Sequence, residues 1–237
     1  MALPKLNNDQ PTYEMVVPST KSKVKYRPFL VKEQKNLLIA MESKDSKQIL
    51  NTMLACLESC VEGVNANDLA TFDVDYMFTQ VRAKSVGETS SIVTKCGKCE
   101  HDNTVTIDLT DIKMEADVKD TVIKLTDEIS VKMKFPTYKD IMVNDTIFGE
   151  DVRAIDVMLE TVIASMHSIQ TPDENFILKD EPREEIENFM NSLTNDQLEK
   201  INEFVQAMPT LSHEKEYTCE ACGQSNVLEL RGFQDFF

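Results

Sequence analysis

Four of the six cysteines fall into two pairs with the same internal spacing, Cys96-Gly-Lys-Cys99 and Cys219-Glu-Ala-Cys222. Two such turns set back to back present four thiolates tetrahedrally to one ion, at about 2.3 Å each, as in a zinc ribbon. Cys96, Cys99, Cys219 and Cys222 are therefore the candidate ligands of one Zn2+. A catalytic zinc keeps one position open for water, and four thiolates leave none, so the expected ion is structural. His101, just after Cys99, and His213, six residues before Cys219, stand in reserve as replacement or supporting ligands. A redox dithiol would need a CxxC at a helix N-terminus with a lowered thiol pKa, whereas strand-like segments flank both pairs. Cys56 and Cys60 lie four apart on the apolar face of a predicted helix and read as small hydrophobes. His167 reads as a helix-end residue. Three scattered histidines and 41 Asp and Glu single out no nucleophile, base and orienting acid, so no enzyme is expected.

The elements that must position the thiols follow from periodicity. Ser91–Lys95 and Thr104–Leu109 flank the first cysteine turn as a hairpin, and Glu214–Thr218 and Asn226–Leu230 flank the second. Gly97 and Gly223 are expected where the chain curls tightly and a missing Cβ costs least. A gap of 119 residues separates Cys99 from Cys219, against the 15 to 20 of a compact ribbon. Upstream, Tyr13–Val17 and Lys23–Arg27 form a predicted hairpin around Pro18–Ser22, and helix is expected after Pro28. Ile49, Leu50, Met53, Cys56, Leu57, Cys60 and Val61 share a helical face behind Asp45 or Ser46 as cap. A helix over Val74–Lys84 is predicted with Asp73 as its cap and Met77, Phe78 and Val81 inward. Within the gap, Thr121–Leu125 pairs with Ile129–Phe135 through an Asp127-Glu128 turn. Val152, Ile155, Met158, Leu159, Val162, Ile163 and Met166 form one amphipathic stripe. Thr194 with Gln197 is a capping box before Leu198, Ile201, Phe204 and Val205.

The expected fold is α+β: helical bundles plus short antiparallel hairpins, with a four-cysteine zinc ribbon split by a long insertion. Its predicted parts are residues 1–88, a strand hairpin plus helices; 89–110 and 213–232, the two ribbon halves; and 111–212, an inserted hairpin and helical region.

Composition limits the partners. The chain has 237 residues, and 41 acidic against 25 basic residues leave a formal charge of −16. That balance argues against nucleic acid, whose binding draws on Lys and Arg releasing counterions. Six glycines provide no GxGxxG or phosphate-cradling loop. The stretch around Leu37–Met41 is too short to span a bilayer, and the N-terminus lacks a signal-peptide pattern, so a soluble protein made in a reducing cytosol is expected. The charge is lopsided: residues 1–50 carry +4, the rest −20, and residues 171–205 alone −7. Complementary patches of this kind steer subunit docking. The basic segment around Lys21, Lys23, Lys25 and Arg27 and the aromatic Phe233, Phe236 and Phe237 are the candidate partner surfaces.

Four segments also carry a resemblance. Met1-Ala2-Leu3-Pro4-Lys5-Leu6, then Pro11-Thr12-Tyr13-Glu14, then Tyr26-Arg27-Pro28-Phe29-Leu30-Val31-Lys32-Glu33-Gln34-Lys35 resemble the opening of the baseplate hub proteins of T-even-type contractile-tailed phages. Arg82-Ala83-Lys84-Ser85-Val86-Gly87-Glu88, leading into a cysteine hairpin, resembles the same family. The resemblance implies a virally encoded, non-enzymatic protein that builds the central hub of the tail baseplate, as a subunit or as an assembly factor. Its implied partners are other baseplate hub proteins, and charge and hydropathy add the expectation of no nucleic acid and no membrane. Its implied location is the virion tail, or the host cytoplasm during assembly. A zinc-ribbon module for nucleic-acid binding or transcription is the alternative.

Overall fold

The computed structural model describes residues 10–112, 114, 121–142 and 153–232. Among these, seven α-helices and four small antiparallel sheets make an α+β fold. The chain divides into two units, one drawn from Met1–Ala66, Phe72–Met114 and Thr210–Phe237, the other from Asn67–Thr71 and Glu115–Pro209.

The first unit opens with strands β1 (Tyr13–Val16) and β2 (Lys23–Tyr26), paired antiparallel with Tyr13 opposite Tyr26. Helices α1 (Val31–Ser43) and α2 (Ser46–Cys60) follow. Glu33 accepts a hydrogen bond from the Leu30 amide at 2.8 Å, satisfying one of the orphan donors at the start of α1. Asp45 caps α2 as expected, accepting from the Lys47 and Gln48 amides at 2.9 and 3.1 Å. Helix α3 (Thr71–Val86) buries Phe72, Val74, Met77, Phe78, Val81 and Ala83, apolar positions too widely spread for one stripe, as suits a central helix.

Asp73 is not the cap of α3. The helix starts three residues earlier than the sequence suggested, and fully buried Asp73 instead accepts hydrogen bonds from the amide (2.8 Å) and hydroxyl of Ser19 in the β1–β2 turn. Burying a carboxylate is tolerable only with such donors, and here they tie the hairpin to α3. Arg27 is also committed internally, donating to Pro28 O, Ser59 O and the Glu33 carboxylate at 2.9, 2.8 and 3.1 Å. Of the basic quartet in this hairpin, Lys21, Lys23 and Lys25 are exposed and Arg27 is half-buried.

Two further hairpins complete this unit. Strands β3 (Thr89–Lys95) and β4 (Asp102–Asp108) pair with Lys95 opposite Asp102, and β9 (Ser212–Thr218) and β10 (Ser225–Arg231) pair with Thr218 opposite Ser225. Both sit against one core: Val105, Ile107 and Leu109 from the first and Leu228 and Leu230 from the second cluster with Ala83 of α3, Ile112 and Leu211.

The second unit holds a four-stranded sheet in the order β5 (Val122–Lys124), β6 (Ser130–Met133), β7 (Met166–Gln170), β8 (Asn175–Ile177). Its helices are α4 (Tyr138–Met142), α5 (Ala154–Ser165), α6 (Arg183–Ser192) and α7 (Asn195–Gln206). The β5–β6 hairpin agrees with the sequence, but β7 and β8 do not. Met166 is not the end of a helical stripe: α5 stops at Ser165, and Met166 pairs with Met133 across the sheet. His167 accordingly lies in a strand. The two periods coincide at this junction, because Met166 is both four residues after Val162 and the first inward residue of an alternating Met166, Ser168 pair. Ile155, at the other end of the stripe, is exposed, and Val152 lies outside the described residues. Thr194 and Gln197 form the predicted capping box of α7, and Gln197 Nε2 also donates to Leu125 O at 3.2 Å. Leu125, Val131, Met133, Val162, Met166, Leu178, Ile201 and Phe204 make the core of this unit.

Candidate metal centre

Each cysteine turn is built by the same backbone bonds. The Cys96 amide donates to His101 O (2.9 Å) and the Glu100 amide returns to Cys96 O (3.0 Å). In the second turn the Cys219 amide donates to Gln224 O (2.8 Å) and the Gly223 amide to Cys219 O (2.9 Å). Each turn passes through the left-handed region immediately after its second cysteine, at Glu100 (φ 57°) and at Gly223 (φ 70°). Gly223 therefore has the expected conformational role. Gly97 does not: it is absent from the positive-φ residues, and a Cβ there would meet Asn226 Oδ1 at an ordinary 3.6 Å. The residue of the first turn in the costly conformation is Glu100, where a side chain pays the left-handed penalty.

The fold brings all four cysteines of the two pairs together. Their Sγ atoms lie within 4.8 Å of one another, although the residues come from chain segments 119 residues apart. Cys96 Sγ is 3.7 Å from Cys222 Sγ, and Cys99 Sγ is 3.6 Å from Cys219 Sγ. These separations are too long for disulfides, which hold sulfurs at about 2.05 Å. They match the edge of a tetrahedron whose corners lie about 2.3 Å from a central ion, roughly 3.8 Å. The donor set thus fits a tetrahedral thiophilic ion. Cys96 and Cys219 are buried, while Cys99 and Cys222 are exposed. Neither His101 nor His213 belongs to the cluster; His213 sits in β9 opposite Leu230.

The electrostatics suit a ligand set. Amides of Lys98 and Cys99 hold the Cys96 thiol down at about 6, against burial, and the thiols of Cys222 and Cys219 act in the same downward direction. The His101 amide lowers Cys99, but hydrogen bonds from the neighbouring thiols and burial outweigh it and push this group up to about 12. Burial opposes ionisation of Cys219, yet the Cys222 and Ala221 amides bring it below the ordinary thiol value. Thiols this close cannot all ionise unaided. A dication removes that conflict, because coordination deprotonates a thiol outright.

Two residues next to the thiols were not singled out from the sequence. Asn103 Oδ1 accepts from the Glu220 amide at 3.0 Å, and Asn226 Oδ1 accepts from the Gly97 amide at 3.2 Å. A signal for them exists: both turns read C-x-x-C-x-x-x-N, with the asparagine four residues after the second cysteine. The other pair, Cys56 and Cys60, is buried on α2 as expected. The Cys56 thiol is pushed up by its hydrogen bond with Cys60 and by burial, consistent with a neutral space-filling thiol. Phe233, Phe236 and Phe237 lie outside the described residues.

Among the described residues, the cluster of ligand-type residues that this α+β chain assembles is a set of four thiols close enough to hold a metal ion. More particularly, the chain belongs to the T4 bacteriophage base plate protein family, whose model matches residues 10–237. Among curated proteins and among solved structures, none matches. The family makes this a component of a multi-protein phage tail structure. No helix among the described residues is long and apolar enough to cross a membrane.

Proposed function

We propose that this chain is a non-enzymatic structural or assembly protein of the central hub of the phage tail baseplate, folded around one structural Zn2+ held by Cys96, Cys99, Cys219 and Cys222. The single observation that carries the metal reading is the thiol cluster itself, with sulfur separations of 3.6 and 3.7 Å. The hub reading rests on the baseplate family and on the N-terminal segments that resemble hub proteins. The proposed partners are other hub proteins, met in the virion tail or in the host cytoplasm during assembly. A net charge of −16 works against the alternative nucleic-acid module.

The domain reading follows from the metal. The ribbon halves, residues 89–110 and 213–232, close on the ion, residues 1–88 precede them, and 111–212 become an insertion held at its root. Support comes from the separate compact unit that takes Glu115–Pro209.

The test has two arms. Elemental analysis of freshly purified protein is expected to give one zinc per chain; zero metal overturns the zinc. Co-expression with baseplate hub proteins is expected to yield a stable complex, and deletion of the gene to arrest baseplates before the hub is complete. Normal baseplates after deletion overturn the hub role.

A further inference from the structure

The two cysteine hairpins are copies of one design, and they clasp each other. Aligning Cys96 with Cys219 and Cys99 with Cys222 brings Asn103 onto Asn226, Val105 onto Leu228 and Ile107 onto Leu230. Both asparagines do the same two things. Each donates from Nδ2 to a carbonyl of its own turn, Asn103 to His101 O at 2.8 Å and Asn226 to Gln224 O at 2.9 Å. Each then accepts, through Oδ1, the amide of the residue after the first cysteine in the opposite turn. The exchange is reciprocal, as in a two-fold pair. Asn226 Nδ2 also lies 3.6 Å from Cys96 Sγ, so its amide points at a thiol of the cluster. Asn103 is 3 % exposed, so its hydrogen bonds are made where water would not replace them.

We propose that Asn103 and Asn226 form a reciprocal latch that docks the C-terminal hairpin on the middle hairpin before any ion binds, and that they are positioning residues for the four thiols. The inference rests on the metal reading only for its second half. The latch spans chain segments whose closure entropy is large, because a loop of 119 residues separates them. The apolar residues behind it, Val105, Ile107, Leu228 and Leu230, sit in one shared core and need no metal to pack. With the hairpins already docked, the ion meets four thiols in place. Asparagine suits this role because one short side chain carries both the donor for its own turn and the acceptor for the opposite one. Supporting groups of this kind are worth about 10- to 100-fold in metal affinity.

The experiment uses the full chain, as purified and after removal of metal. In the metal-free wild type, hydrogen exchange is expected to show protected Gly97 and Glu220 amides. Asn226→Ala is expected to speed exchange at Gly97 and Asn103→Ala at Glu220, each by about tenfold, the worth of one hydrogen bond. Asn103→Asp keeps the acceptor oxygen and is expected to leave the Glu220 amide protected. With zinc loaded, transfer to a chromogenic chelator is expected to quicken about 10- to 100-fold in either alanine variant. Cobalt loading, followed by its thiolate charge-transfer band, reports whether four sulfurs still bind. Unprotected Gly97 and Glu220 amides in the metal-free wild type overturn the latch, and wild-type release rates in both alanine variants overturn the positioning role. If the wild type contains no metal and cobalt gives no thiolate band, the metal reading fails while the exchange arm still decides the latch.

Discussion

The cysteine hairpins of the first unit and the four-stranded sheet of the second are both made of short antiparallel strands, yet they are held differently. The β3–β4 and β9–β10 hairpins are separate two-stranded sheets sharing a modest apolar core, and they carry a thiol cluster and two cross-clasping asparagines at their turns. The sheet β5-β6-β7-β8 has no such cluster among the described residues. It packs Val131, Met133 and Met166 against Val162 of α5, Leu178, and Ile201 and Phe204 of α7, and Phe135 stacks on Phe204 at 6.1 Å between centroids. A two-stranded hairpin alone is marginal in water, so these hairpins draw on the asparagine clasp and, under the proposed function, on a metal, where the sheet relies on area buried. The lesson is that one chain can stabilise similar strands by two means that fail under different conditions.

Metal removal is the largest way to break the comparison. A structural zinc is worth on the order of 10 kcal/mol. Chelation, or Cys219→Ser, is expected to lower the protection of the cysteine hairpins' amides, with Gly97 and Glu220 still protected by the asparagine latch, while the sheet's protection is unchanged; equal loss in both regions would erase the distinction. The converse is Ile201→Ala, a fully buried side chain in the second unit. It is expected to cost about 2–5 kcal/mol in chemical denaturation and to leave zinc stoichiometry unchanged. Zinc loss in that variant would mean that the two regions are not independent.

Acid sharpens the comparison at a smaller scale. In the first unit Glu33 sits below the usual carboxylate range: burial opposes this, but the Leu30 amide and the Arg27 guanidinium outweigh it. In the second, Asp140 is lowered in the same way, with burial opposed by the Thr137 amide and Lys134. A depressed carboxyl pKa stabilises the fold above the unfolded value and loses that stabilisation as pH falls through the folded one. Glu33→Gln and Asp140→Asn are therefore each expected to cost about 1 kcal/mol at neutral pH. That difference shrinks as pH drops below about 4, the ordinary carboxylate range. Denaturant melts across pH 2–7 check it, and a penalty that stays constant into acid would contradict the assignment. The smallest effect has the opposite sign. Glu100→Gly removes a side chain from the left-handed region (φ 57°) and is expected to stabilise the first turn by up to about 1 kcal/mol, seen as a higher melting midpoint. A neutral or destabilising result would show that the Glu100 side chain contributes more than its conformation costs.

Legibility in the sequence followed the same division. The cysteine hairpins were readable because chemistry marks them through CxxC spacing and flanking alternation, and the Asp45 cap of α2 and the Thr194 cap of α7 are likewise local signals that burial does not overwrite. Asp73 and Met166 were misread for one reason: each satisfies a local pattern, a cap or a helical stripe, that a distant partner overrides. Ser19 claims the Asp73 carboxylate, and Met133 claims Met166 across the sheet. Strand β8, three residues long, is too short for any alternation to register.

By itself the sequence determined which residues could ligate an ion, that strands must flank them, and that the charge is set against nucleic acid, because these depend on residue type and spacing alone. Only the tertiary structure decided that thiols 119 residues apart lie 3.6 and 3.7 Å from each other, and that Asn103 and Asn226 cross between turns. The reason is that the closeness of distant segments is set by the shared apolar core of Val105, Ile107, Leu228 and Leu230 on α3, and no local pattern encodes that packing.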